Sequence, residues 1–355
     1  MKRVSAGALV LAIAALVFDR AAPADIASTQ QLRGMPQQAV LTEYDPLFSN
    51  AEIMRRLLSP LTQVAVRHML ARTGKLLSRY PIDLTNEKFL VYVPSTAPPS
   101  RGYALLVFIP PWDQTFLPFG WASQLDRYGV ILVSPASAGN TAAVLNRRVP
   151  LALSAETNIA REYPLDRQRV FIGGFSGGSG VALRIALGYP DVFRGALLNA
   201  GAAPLGGAYP LPRQDLFQRF RGTSHLVYVT GELDTTNLGG DAGSSQSMQD
   251  WCVFEVETHE TTGAGHELMS AAAFGRALER LLSPAPADPA RLGACRSRVQ
   301  QELGEKLARA EALVAESRRA AARQLLLEID ERYGGLAAPR ILDLARRCEC
   351  GVAGS

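Results

Sequence analysis

Ser176 stands in the run Gly174-Phe175-Ser176-Gly177-Gly178, a G-x-S-x-G arrangement among the 355 residues of the chain. A serine hydroxyl is a weak nucleophile until a base takes its proton and an acid holds that base in the right tautomer, so the pattern has chemical meaning only if a histidine and a carboxylate can reach it. The chain has 4 histidines. His68 precedes every strand-like segment and His225 opens one at its far end, which leaves His259 and His266. His266 lies in TTGAGHEL, a glycine-bearing stretch able to carry a side chain across to the serine, and is preferred over His259, which sits closer to a strand. The acid should fall between serine and histidine and leave the end of a strand. Asp234 in the turn GELD, just after HLVYVTG, meets both conditions, with Glu232 and Asp241 in reserve. Ser176, Asp234 and His266 together make a nucleophile, an orienting acid and a base, the set needed for acyl transfer.

Positioning these groups requires a sharp turn between a strand and a helix. Val170-Phe171-Ile172 leads into the glycines, and the small-residue run SGVALRIAL follows, so the serine is expected on a strand-turn-helix elbow with the helix N-terminus beside it. Apolar runs KFLVYVP (88–94), ALLVFIP (104–110), GVILVSP (129–135), GALLNAG (195–201), HLVYVTG (225–231) and CVFEVET (252–258) predict further strands. Between them WASQLDRY, Leu151 to Tyr163 and Leu268 to Leu282 predict helices. Buried strands alternating with helices imply an α/β fold with a mostly parallel sheet covered on both faces, whose ligands bind at the carboxyl ends of the strands.

The segments RVFIGGFSGGSG, YPDVFRGALLNAG, GELD and GAGHEL resemble the α/β-hydrolase fold, most closely secreted esterases of the poly(3-hydroxybutyrate) depolymerase-like and feruloyl-esterase-like kinds, over about Asn86 to Ser283. The resemblance implies a serine carboxylesterase with Ser176, Asp234 and His266 as catalytic residues and no cofactor or metal. It also implies an oxyanion hole with one N–H from Gly177 and a second from the loop after an early strand. That loop reads Ile109-Pro110-Pro111-Trp112-Asp113 where such proteins commonly carry His-Gly, and Pro111 has no N–H to give, so the second donor falls to Trp112 or Asp113, with Trp112 at the position just after the usual His-Gly pair. Trp112, Asp113, Phe116 and Phe175 are candidate substrate-binding residues. Only Ala202 to Ser224 connects two strands where many members insert a lid, which predicts an open site suited to a bulky or polymeric ester. A non-catalytic hydrolase-like binding protein and a serine peptidase are the alternative readings.

The remaining segments frame this domain. Residues 1–24 read as a signal peptide, with basic Lys2 and Arg3, an apolar stretch from Ala6 to Phe18 and the cleavage pattern Ala22-Pro23-Ala24, and predict a secreted or periplasmic protein. Its removal takes Lys2, Arg3 and Arg20 against Asp19 from a net charge of +4, leaving a nearly neutral chain without the basic stripe of a nucleic-acid binder. No later apolar run is long enough for a membrane span. Residues 25–85 predict helices, interrupted at Pro60, that pack on the hydrolase domain at 86–284. Residues 285–355 predict a helical tail from Leu303 to Val314, Arg318 to Arg332 and Pro339 to Arg347, similar to a tetratricopeptide hairpin and available for protein contact or docking on the domain. Of the 4 cysteines, Cys295 is expected to pair with Cys348 or Cys350, leaving Cys252 as a buried thiol in a strand; neither cysteines nor histidines have metal-ligand spacing.

Overall fold

A computed structural model describes residues 33–283 and 288–349; the segment read as a signal peptide and Cys350 lie outside them. Eight strands form one sheet: β1 (Gln37–Ala39), β2 (Phe89–Tyr92), β3 (Tyr103–Ile109), β4 (Val130–Pro135), β5 (Leu165–Phe175), β6 (Gly195–Asn199), β7 (His225–Gly231) and β8 (Val256–Thr261). Their spatial order is β1-β2-β4-β3-β5-β6-β7-β8. The pairs β1 with β2 and β2 with β4 are antiparallel; every pair from β4 to β8 is parallel.

The apolar strand runs follow from this burial. Along β3, Leu105, Val107 and Ile109 face one core with Ile131, Val133, Val170 and Ile172, packed beneath helices α4 (Val149–Glu162) and α5 (Gly177–Gly188). The intervening Ala104, Leu106 and Phe108 face a second core with Val130, Leu132 and Phe171, covered by α3 (Trp121–Tyr128) and α8 (Ala271–Leu282). Alternate residues thus serve opposite faces, and because both faces are covered the strand reads as continuously apolar. Trp121 and Phe274 stack at 3.7 Å between centroids, joining α3 to α8.

Two helices precede the sheet, α1 (Asn50–Leu57) and α2 (Pro60–Thr73). Ser59 caps α2 and Pro60 takes its first turn, where a missing N–H is no loss. Buried Arg56 of α1 holds both Glu52 and Asp191, at 2.5 and 2.6 Å, pinning this leader to the loop before β6.

Sequence and structure part in several places. Strand β1 lies in the leader, where only helices are expected. The run CVFEVET does not form a strand from Cys252: α7 (Thr235–Asp250) ends just before it, Cys252 takes a positive φ of 68° as the chain reverses, and β8 starts only at Val256. Helices α6 (Gln214–Thr223) and α7 carry no sequence expectation above. The cysteine pairing also differs. Cys252 is bonded to Cys295, not left as a thiol, with Cα atoms 5.7 Å apart. That bond staples the body to α9 (Pro289–Ala315), the first helix of a C-terminal region completed by α10 (Arg319–Tyr333) and α11 (Arg340–Cys348). Cys348 is itself in a disulfide. Docking is reinforced at Asp330 of α10, whose carboxylate accepts from Ser59 Oγ at 2.5 Å and Leu61 N at 3.1 Å, and at Tyr333, edge-on to Trp251.

Candidate active site

Ser176 occupies the single residue between β5 and α5, with φ 53° and ψ −125°. A side chain other than glycine rarely adopts this region, and the surrounding backbone must hold it there. The strand and helix cross so closely that a Cβ on Gly174 would lie 2.3 Å from the Gly178 carbonyl carbon, and the helix also presses on β3, where a Cβ on Gly178 would lie 2.0 Å from Ile109 O. Ser176 N donates to Asn199 O at 2.9 Å, which fixes the turn against β6.

Asp234 follows β7 and caps α7, its carboxylate accepting from Asn237 N at 3.4 Å. Asn237 Nδ2 also donates to both carboxylate oxygens at 2.9 Å. His266 comes from the loop between β8 and α8. Its Nδ1 is 2.6 Å from Asp234 Oδ2 and its Nε2 is 3.0 Å from Ser176 Oγ. Burial pushes the Asp234 carboxyl upward, but hydrogen bonds from Asn237 and His266 outweigh it and hold the group below its ordinary value. The carboxylate is buried while the imidazole is 42% exposed, so the line of three residues runs from the interior to the surface.

The histidine loop is tied on both sides. Leu233 N donates to Ala264 O at 2.9 Å, and Glu232 accepts from Gly263 N at 2.9 Å, so this reserve acid braces the loop. Asn199 donates to Val229 O at 2.8 Å and accepts from Met269 N at 2.9 Å, joining β6, β7 and the segment after His266. Asp241, the other reserve, is buried and accepts from Thr230, Ala202 and Gly201; burial raises its pKa, and its bonds hold the chain after β6. His259 sits on edge strand β8 near Glu257, and His225 is buried at the opposite end of β7 from Asp234.

Gly177 opens α5, and neither its N–H nor that of Trp112 donates a hydrogen bond among the described residues. The carbonyls of the double proline are both engaged: Pro110 O accepts from buried Arg148 Nη2 at 3.1 Å, and Pro111 O accepts from Asn140 N at 2.9 Å. Asp113 accepts from Gly139 N at 3.0 Å through its carboxylate, which ties the loops after β3 and β4 together. Trp112 stacks on Phe116 at 5.2 Å, meets Phe175 at 5.9 Å, and Phe175 stacks on the His266 ring at 5.0 Å. An aromatic ridge therefore runs up to the imidazole, ending in Phe116 at 52% exposure; Phe119, farther along the same loop, is wholly exposed.

Asn237, Asn140 and Arg148 were not singled out from the sequence. An Asp three residues before an Asn at a helix start is a capping signal for Asn237; nothing in the sequence marks the other two.

Ser176 after β5, Asp234 after β7 and His266 after β8, on this mostly parallel strand order with helices on both faces, decide the architecture. The chain has the α/β-hydrolase fold. No protein-family model matches it. A poly(3-hydroxybutyrate) depolymerase from Ralstonia pickettii is 28% identical over 102 residues, a match that covers 24% of this chain and 20% of the relative's length. Esterases of the same fold are among its structural neighbours. An acetyl xylan esterase from Aspergillus awamori is 15% identical, with 55% of this chain and 95% of that one covered and a TM-score of 0.43. For an S-formylglutathione hydrolase from Staphylococcus aureus the values are 14%, 56%, 93% and 0.42. The connection from β6 to β7 holds only an isolated bridge between Leu205 and Tyr209 and the short α6, with no inserted cap domain. Among the described residues no helix is long and apolar enough to cross a membrane.

Proposed function

We propose that the protein is a serine hydrolase that cleaves carboxylic esters through an acyl-enzyme. The observation that carries this reading is the unbroken hydrogen-bonded line from Ser176 through His266 to Asp234 at the carboxyl end of the sheet. Ser176 Oγ attacks the ester carbonyl while His266 Nε2 takes its proton. The Asp234 carboxylate keeps the other imidazole proton on Nδ1 and stabilises the imidazolium that forms. Negative charge gathers on the former carbonyl oxygen, where the Gly177 N–H, the positive end of α5 and the Trp112 N–H favour it. Collapse of the tetrahedral intermediate expels the alcohol, protonated by His266. Water then enters, gives a proton to the same nitrogen, and releases the acid and free Ser176.

The short connection from β6 to β7 and the exposed aromatic ridge beside His266 favour a bulky or polymeric ester whose bond is reached at a surface. The Cys252–Cys295 disulfide suits an oxidising, exported setting, in line with the basic and apolar start of the sequence. The docked C-terminal helices act as a brace for the body.

The test is hydrolysis of p-nitrophenyl acyl esters by the wild type and by Ser176→Ala, with peptide p-nitroanilides in parallel. Ester turnover that vanishes in the variant supports the proposal. Turnover unchanged in Ser176→Ala, or confined to the anilides, overturns it.

A further inference from the structure

Asn140 lies in the loop after β4, and its side-chain amide is the nearest group above the first residue of α5. A Cβ built on Gly177 would sit 2.2 Å from Asn140 Oδ1 and 3.2 Å from Nδ2. The residue's own backbone is fixed, because Asn140 N donates to Pro111 O at 2.9 Å and so joins this loop to the one bearing Trp112. Its amide, by contrast, has no hydrogen-bond partner among the described residues and is exposed beside the serine elbow. A primary amide offers two N–H donors at one end and an oxygen at the other, and a half-turn about its last torsion exchanges the ends at little cost.

Acyl transfer requires donors aimed at the oxygen where charge develops, and two consecutive prolines remove the N–H groups from Pro110 and Pro111 of the neighbouring loop. We propose that Asn140 supplies a further donor beside those of Gly177 and Trp112: its Nδ2, turned toward the site, donates to the tetrahedral oxyanion next to the Gly177 N–H. This rests on the ester-hydrolase reading above. The absence of a side chain at Gly177 leaves the space that the amide occupies.

The experiment compares wild type, Asn140→Ala and the nearly isosteric Asn140→Asp. Each is assayed with p-nitrophenyl acetate and with an alkyl trifluoromethyl ketone, which forms a tetrahedral adduct on the serine. Loss of one oxyanion donor lowers kcat by about 10²-fold with KM changed little, and weakens ketone binding by a similar factor. Asn140→Asp falls further, since its carboxylate faces the developing charge. This pattern at unchanged melting temperature supports the proposal. Wild-type kcat in Asn140→Ala, or a loss of rate with ketone affinity preserved, overturns it, as does a loss in both variants matched by a loss of stability. A wild-type protein that hydrolyses no ester and forms no ketone adduct refutes the ester-hydrolase reading itself, a result distinct from either.

Discussion

Replacing Asp234 by Asn probes the acid in a way that its neighbours make unusually severe. The carboxylate receives only donors: Asn237 Nδ2 at 2.9 Å to each oxygen, Asn237 N at 3.4 Å, and His266 Nδ1 at 2.6 Å. An amide has one oxygen, so in either orientation its NH₂ confronts a donor. Turned toward Asn237, it sets two NH₂ groups against each other and leaves buried hydrogens unpaired, at about 1–3 kcal/mol. Turned toward His266, it loses one Asn237 Nδ2 contact but can pair with an unprotonated Nδ1, which places the imidazole proton on Nε2, where it cannot accept from Ser176. The second arrangement satisfies more bonds and is the expected one. The wrong tautomer costs about 10⁴ in kcat, or roughly 5 kcal/mol of transition-state stabilisation. Steady-state hydrolysis of p-nitrophenyl acetate, with melting temperature measured alongside, is the assay. A folded Asp234→Asn protein retaining more than about a tenth of wild-type kcat would refute the assignment of Asp234 as orienting acid, since its loss would then leave the base unaffected.

Three other outcomes are expected. Removing the Cys252–Cys295 bond, which spans 43 residues, with the double Cys→Ser variant lowers stability by about 2–4 kcal/mol in denaturant titration and leaves kcat nearly unchanged; no change in the unfolding midpoint counts against the staple. Burial, only partly offset by the Leu281 carbonyl and Glu257, holds the His225 pKa below its ordinary 6.5. The unfolded chain therefore binds a proton that the folded one refuses, and stability falls as pH drops below that value; His225→Gln should flatten this limb of the melting-temperature profile, and an unaltered slope would show that other groups set it. Phe119 is fully exposed, so Phe119→Ala should shift stability by less than about 0.5 kcal/mol. It should nevertheless raise KM for long-chain or polymeric esters with little effect on acetate, and equal KM for both would remove Phe119 from substrate binding.

The central sheet was legible because its physics is local. Strands β3 and β4 are covered on both faces and so spell themselves out as apolar runs, and the elbow glycines mark a backbone crossing that side chains would block. The line of Ser176, Asp234 and His266 emerged from chain order and from glycine around the histidine. Helix α7 was hidden for the opposite reason. It turns Asp241, Ser244, Ser247 and Met248 inward, bonding Asp241 to Thr230 and Ser244 to Tyr228, so its buried side carries no apolar stripe. Cys252 sat in a strand-like run, but the partner that decides its geometry lies in α9, far along the chain. Asn140 is similarly silent in sequence, since its meaning depends on Gly177 and Pro111 meeting it from two other loops.

The most direct measurement is covalent. The folded protein is incubated with a fluorophosphonate and the adduct is located by peptide mass spectrometry. A single adduct on Ser176, absent in Ser176→Ala and strongly slowed in His266→Ala, is the predicted result. A folded protein that takes up no probe, or carries it on another residue, would contradict the account.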